Sequence, residues 1–289
     1  MLRSMYSGIS GMKNFQTKLD VIGNNIANVN TSGFKKGRAT FQDMFSQMTA
    51  GAQGSTNARG GINPTQVGLG SQLGSIDNIH TQGFLQPTGR LLDFAIEGDG
   101  MFVVASDLEF EAGPDGAVDI ENSDIAYTRA GNFYFDEEGY IVNSDGYYLM
   151  GFQADGDGGM TDEIGRIMIS EDAKGFSVEQ NGTVNINDEN GDPVVVGQIA
   201  LASFSNPEGL QKAGGNLYLD SANAGRADDL LAPGTEGLGS IHSSTLEMST
   251  VDLAEEFTDM ITAQRSFQAN TRIINTSDEI LQELVNLKR

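Results

Sequence analysis

Apolar residues recur at intervals of three and four at the start of the chain: Met5, Ile9, Met12, Phe15, Leu19, Ile22, Ile26 and Val29. Near the other end Leu253, Met260, Phe267, Ile274 and Leu281 stand seven apart, with Phe257, Ala263 and Leu284 filling the same seam. Such spacing lays a narrow apolar stripe along a helix, and the stripe needs a second helix to cover it. The pattern predicts two helical arms that pair with each other as a coiled coil or meet the arms of other copies. Asn270 and Ser277 interrupt the C-terminal seam. A sparser stripe of Ile261, Ala269, Ile273 and Ile280 lies off it, wet in an isolated pair of arms and open to burial by neighbouring copies.

Between the arms the period changes. From Leu91 to about Thr245 short runs rich in β-branched and aromatic residues alternate with Glu97-Gly98-Asp99-Gly100, Asp136-Glu137-Glu138-Gly139, Asp145-Gly146, Asn181-Gly182 and Asn190-Gly191. Asn-Gly and Asp-Gly between such runs signal hairpins, because both turn residues tolerate positive φ. The expected fold is α+β in several parts: an antiparallel all-β central domain with long N- and C-terminal α-helices paired as a coiled coil. The divisions are an N-terminal arm over 1–34, an extended connector with one helical turn over 35–90, a β-rich body over 91–245 and a C-terminal arm over 246–289. The first helix is expected to stop near Ser32-Gly33, and the last to start at Ser249-Thr250-Val251-Asp252 with an acidic first turn.

A formal charge of −23 sits almost wholly in the middle of the chain. The N-terminal arm is basic and the C-terminal arm mildly acidic, which favours their pairing, and the acidic centre argues against nucleic-acid binding. Cysteine is absent and only His80 and His242 represent histidine, so neither a disulfide scaffold nor a histidine metal site is expected. The acidic run 155–159 lacks the ligand spacing of an EF-hand, and Gly68, Gly70 and Gly74 miss the dinucleotide-binding spacing. Lys35, Lys36 and Arg38 read as a solvated turn after a helix. No catalytic constellation, cofactor or metal is expected, and no stretch is apolar enough to insert in a membrane. Nor is there an uninterrupted apolar segment of the kind found in a cleaved signal peptide.

On these residues the chain resembles the axial proteins of the bacterial flagellum, the rod and hook family. LDVIGNNIANVNTSGFKKGRATFQDMF is similar to its N-terminal signature, with Asn24, Asn25, Asn28, Thr31, Gly33 and Phe34 in place. The C-terminal segment is similar to the partner signature, notably at Ala263, Gln264 and Arg265. GRLLDFAIEGDGMFVV and the segment from Tyr127 to Phe152 also resemble family sequence.

The resemblance implies a structural, non-enzymatic subunit exported through the flagellar type III apparatus without a cleaved signal. It implies assembly outside the cell as a tubular homopolymer that meets other axial proteins at its junctions and cap. Leu284-Val285-Asn286-Leu287 and the Gly33–Phe45 stretch point to the hook branch, a flexible torque-transmitting joint. Residues 46–65, placed where the rod branch carries a stiffening segment, make the rigid distal rod the alternative; a secreted coiled-coil adhesin ranks third. Self-assembly is assigned to Met5, Ile9, Met12, Leu19, Ile22, Ile26, Leu253, Phe257, Met260, Phe267, Ile274 and Leu281. Isolated arms are expected to be largely disordered, ordering as copies stack.

Overall fold

The computed structural model describes residues 2–55, 59–106, 108, 123–154, 160–169, 175–187, 193–225, 230–235 and 237–287. The chain divides into two compact units. The first comprises Met1–Asn28, Lys36–Ile79 and Val251–Arg289; the second comprises Val29–Lys35 and His80–Thr250.

In the first unit, α1 (Leu2–Ala27) and α2 (Leu253–Asn286) accompany strands β1 (Gly37–Asp43), β2 (Ser46–Ala50), β3 (Thr65–Gly68) and β4 (Ser71–Asn78). Helix α2 starts where its sequence says it should. The Asp252 carboxylate accepts from the backbone N–H of Ala254 at 2.8 Å and Glu255 at 3.4 Å, satisfying donors that the first turn leaves open. Glu255 and Glu256 place negative charge at the positive end of the helix dipole. No glycine or proline follows to break the helix. No helix among the described residues is long and apolar enough to cross a membrane.

The segment after α1 holds more order than a connector with one helical turn. β1 pairs antiparallel with β4, from Gly37 opposite Asn78 to Asp43 opposite Ser71, and β2 pairs with β3, from Ser46 opposite Gly68 to Ala50 opposite Thr65. The Met44 N–H donates to the Gly70 carbonyl between the two ladders, and Gln53 bridges Ile62 beyond them. Together they make a two-stranded ribbon. Its residues are mostly exposed on both faces, so no period-two burial marks it in the sequence. Backbone ladders and cross-strand pairs such as Thr40 with Ser75 (Oγ1 to Oγ, 2.6 Å) hold it instead.

The second unit is antiparallel throughout its ladders. In chain order its strands are β5 (Leu85–Pro87), β6 (Phe94–Glu97), β7 (Met101–Ser106), β8 (Asp124–Thr128), β9 (Tyr134–Phe135), β10 (Ile141–Val142), β11 (Tyr148–Ala154) and β12 (Met160–Arg166). There follow β13 (Gly175–Val178), β14 (Thr183–Asn187), β15 (Pro193–Ile199), β16 (Leu201–Ala202), β17 (Gln211–Gly214), β18 (Leu217–Leu219), β19 (Ser240–Ser243) and β20 (Thr245–Glu247). The main sheet runs β13-β14-β15-β11-β7-β8-β18-β17, with β12 and β10 on β11, β9 on β10 and β16 on β7; β19 pairs with β6 and β20 with β5.

Turns at Gly139, Gly146 and Gly182, all at positive φ, join β9 to β10, β10 to β11 and β13 to β14 as hairpins. The Glu97–Gly100 turn leads instead from β6 to a strand of another sheet, since β6 pairs with β19. Asn190-Gly191 and the run 155–159 lie outside the described residues. Phe94, Phe102, Phe133, Leu149, Val184, Ile199 and Leu201 are fully shielded at the centre of the core, with the Phe102 and Phe133 rings edge to face at 5.5 Å.

Candidate functional site

Within the first unit α1 and α2 run antiparallel, with residue numbers rising along one as they fall along the other. Gly8 lies against Ile274 and Asn270, Gly11 against Asn270, and the Thr271 hydroxyl approaches the Met12 sulfur at 3.9 Å. Lys18 pairs with Asp259 at 2.9 Å, and Asn25 reaches Glu256. A Cβ on Gly8 would come within 3.3 Å of the Ile274 side chain, which would have to give by a few tenths of an ångström.

The assigned stripe residues divide by what covers them. Ile22 is buried; Met5, Ile9, Met12, Leu19, Ile26, Met260, Phe267, Ile274 and Leu281 are half-buried; Leu253 and Phe257 are exposed. The positions of α2 that are buried are Glu256, Ala263 and Ser277, seven and then fourteen residues apart. The most buried positions of α2 are thus small or polar, while the apolar Met260, Phe267, Ile274 and Leu281 are only half-covered. Ile261, Ile273 and Ile280 stay exposed, as expected of the second stripe in one copy alone.

Among the motif residues, Asn25 is a clamp. Its Oδ1 accepts from the Gly37 N–H at 2.9 Å while its Nδ2 donates to the Gly37 carbonyl at 2.9 Å and to Glu256 Oε2 at 3.2 Å. One buried carboxamide thus fastens α1 to the start of β1 and to α2, using both its donor and its acceptor. Asn28 folds back on its own helix end, donating to the Asn24 backbone and side chain, while Asn24, Gln264 and Arg265 are exposed and Ala263 is buried.

In the second unit, Thr31 accepts from the Phe34 N–H at 3.4 Å and Phe34 is buried. Gly33 adopts φ +69° with its N–H on the Glu247 carbonyl at 2.8 Å. A Cβ there would meet the Arg129 backbone at 2.6 Å, so glycine is required for both conformation and space.

Lys35 is not a solvated turn residue. Its Nζ is buried, 2.6 Å from Glu247 Oε1 and 2.7 Å from the Thr81 carbonyl. The same carboxylate takes Arg129 Nη1 at 3.3 Å and the Gly83 N–H at 2.8 Å, and Arg129 Nη2 donates to the Gly98 carbonyl. Burial pulls the lysine pKa below its usual value, against the opposing attraction of Glu247. A buried charge of this kind is tolerated only with such partners. By joining residues 29–35, 80–83, Arg129 and β20, the cluster pins the points where the chain enters and leaves the unit. Arg129 and Glu247 both lie in segments that resemble family sequence, yet nothing local marks either as a partner of Lys35. The available signal was Lys35 directly after the apolar Phe34, and the charge alone argued for solvent. Lys36, the next residue, does reach outward, pairing with exposed Glu255 at 2.8 Å inside the first unit.

Residues 5–35 match the family described as Flagella basal body rod protein, residues 95–186 the Flagellar hook protein FlgE/F/G D1 domain, and residues 242–287 the Flagellar basal body rod FlgEFG protein C-terminal. The chain is 53% identical over 289 residues to the flagellar basal-body rod protein FlgG of Bacillus subtilis, covering all of both. It is 35% identical over 294 residues to that of Borreliella burgdorferi, again covering all of both. The flagellar hook protein FlgE of Borreliella burgdorferi is 33% identical, over an alignment of 442 residues that covers both chains fully.

Proposed function

The chain belongs to the flagellar rod and hook family, and we propose that within it the chain is a subunit of the distal rod, the rigid shaft of the basal body. What carries the reading is co-linearity. The rod relative matches end to end at 53% identity without a length difference, whereas the hook relative needs 442 aligned positions to accommodate a segment that this chain lacks. The hook branch, favoured by the short motifs at residues 33–45 and 284–287, gives way to the rod branch on that ground. The β2–β3 ribbon supports it, because residues 46–65 are the segment in which a rod subunit would differ from a hook subunit.

In this reading the arms pair as a coiled coil lining the tube, and Ile261, Ile273 and Ile280 are covered by further copies. Repeated head-to-tail contacts that do not close produce a filament. The subunit travels through the flagellar export apparatus as an unfolded chain and meets other axial proteins at its ends. The four divisions at 34, 90 and 245 describe arm, connector, body and arm of that subunit.

Electron microscopy of polymer grown from purified protein tests the proposal. Full-length chain is expected to give straight tubes, deletion of residues 46–65 curved or flexible ones, and removal of both arms none. Curved tubes from the intact chain would return the hook reading; tubes from armless chain would end the assembly scheme.

A further inference from the structure

His80 stands beside the buried charge cluster but takes no part in it. Its ring lies 5.6 Å from that of Tyr218 on β18, and neither ring nitrogen is accessible to water or has a hydrogen-bond partner among the described residues. A neutral imidazole carries one donor and one acceptor, and an imidazolium two donors, so this pocket leaves either form unsatisfied and the charged one far more so. The charged groups that act on it are Lys35, Arg129 and Lys212 on one side of the balance and Glu247 on the other; Lys35 and Arg129 already occupy that carboxylate. The ring also borders a cavity of about 390 Å³ lined by Arg129, Met101, Phe204 and the exposed acid Asp99.

We infer that His80 is an acid-sensitive latch of the second unit. The neutral ring closes the packing around Lys35, Lys212 and Tyr218. Its protonation turns the ring out into the neighbouring cavity, where water and Asp99 can receive the charge, and loosens that packing. Burial first, then the three cations, hold the folded-state pKa at about 4 against an ordinary 6.5. Between those values the unfolded chain binds a proton that the folded chain refuses, so stability falls as pH drops through that window. The role is independent of whether the polymer is a rod or a hook.

Two measurements on the full chain test the latch. With histidine isotopically labelled, only two ring signals exist, and His242→Gln assigns them. The His80 signal is expected to stay in its neutral position from about pH 7 to about pH 5, then to shift together with the Tyr218 ring. Urea unfolding of the second unit can be followed by tyrosine fluorescence, because every tyrosine except Tyr6 lies there.

Over the same pH range the folding equilibrium of the wild type should fall about tenfold further than that of His80→Phe, allowing for the ring's partial exposure. Carboxylate titration is common to both proteins and cancels in that difference. A His80 signal titrating at an ordinary value, or equal pH slopes in the two proteins, would overturn the inference. Should His80→Phe fail to fold, the wild-type titration decides alone.

Discussion

The two units solve the same problem, covering apolar surface, to different degrees. The β-unit surrounds Phe94, Phe102, Phe133 and Leu149 completely, and its buried charges meet partners inside the same unit. The helical unit buries Ala263, Ser277, Glu256 and Asn25 at its contacts while Phe257, Ile261, Ile273 and Ile280 remain exposed. A core of the first kind gives a self-sufficient fold. A contact face of small and polar residues beside an exposed apolar stripe gives an element whose stability waits for a further partner. The division teaches where cohesion within one copy ends and cohesion between copies is left to begin.

The contrast can be broken at several points. Phe102→Ala removes an aromatic ring that is wholly shielded and should destabilise the β-unit by about 3–5 kcal/mol. Tyrosine-monitored urea unfolding would show the midpoint drop; an equal drop in the far-ultraviolet helix signal would mean that the units are not separable. Glu247→Leu strands Lys35 and Arg129 as buried, uncompensated cations and should cost about 3 kcal/mol or more. A smaller loss in the same assay would mean that the cluster is reached by water.

Gly8→Leu raises helix propensity, yet its side chain would press on Ile274 and the Asn270 backbone. A net loss of about 1–3 kcal/mol in the helical transition is expected, with tube formation impaired. Ile273→Ser, on the exposed stripe, should change monomer stability by no more than about 0.5 kcal/mol while raising the protein concentration needed for polymer. Sedimentation of polymer from monomer reads that threshold, and an unchanged threshold would remove the stripe from the assembly surface.

Much of this architecture was legible because it rests on local signals. The Asp252 cap, the Gly146 and Gly182 turns and the three-four spacing of α1 each depend on a few neighbouring residues, and each stands in the structure as the pattern implies. The ribbon was not, since a ladder exposed on both faces imposes no alternation on its side chains. Nor was the charge cluster. Lys35, Arg129 and Glu247 are far apart in sequence, and a lysine's burial depends wholly on the arrival of those distant groups. Asn25 stands in the segment that carries the resemblance, but its clamp on Gly37 and Glu256 depends on the tertiary approach of α2 and β1, which no local pattern encodes. The hook reading leaned on short motifs, whereas length and end-to-end identity support the rod branch proposed above.

A hairpin fastened at its base can differ in length without change at that base. In β1 to β4 both strands return to the same base, where Gly37 faces Asn78. Residues added or removed in matched pairs along the two strands would leave that pairing as it is, each pair altering the length by about 3.4 Å. The length of such a ribbon can therefore change without altering the pairing at its base.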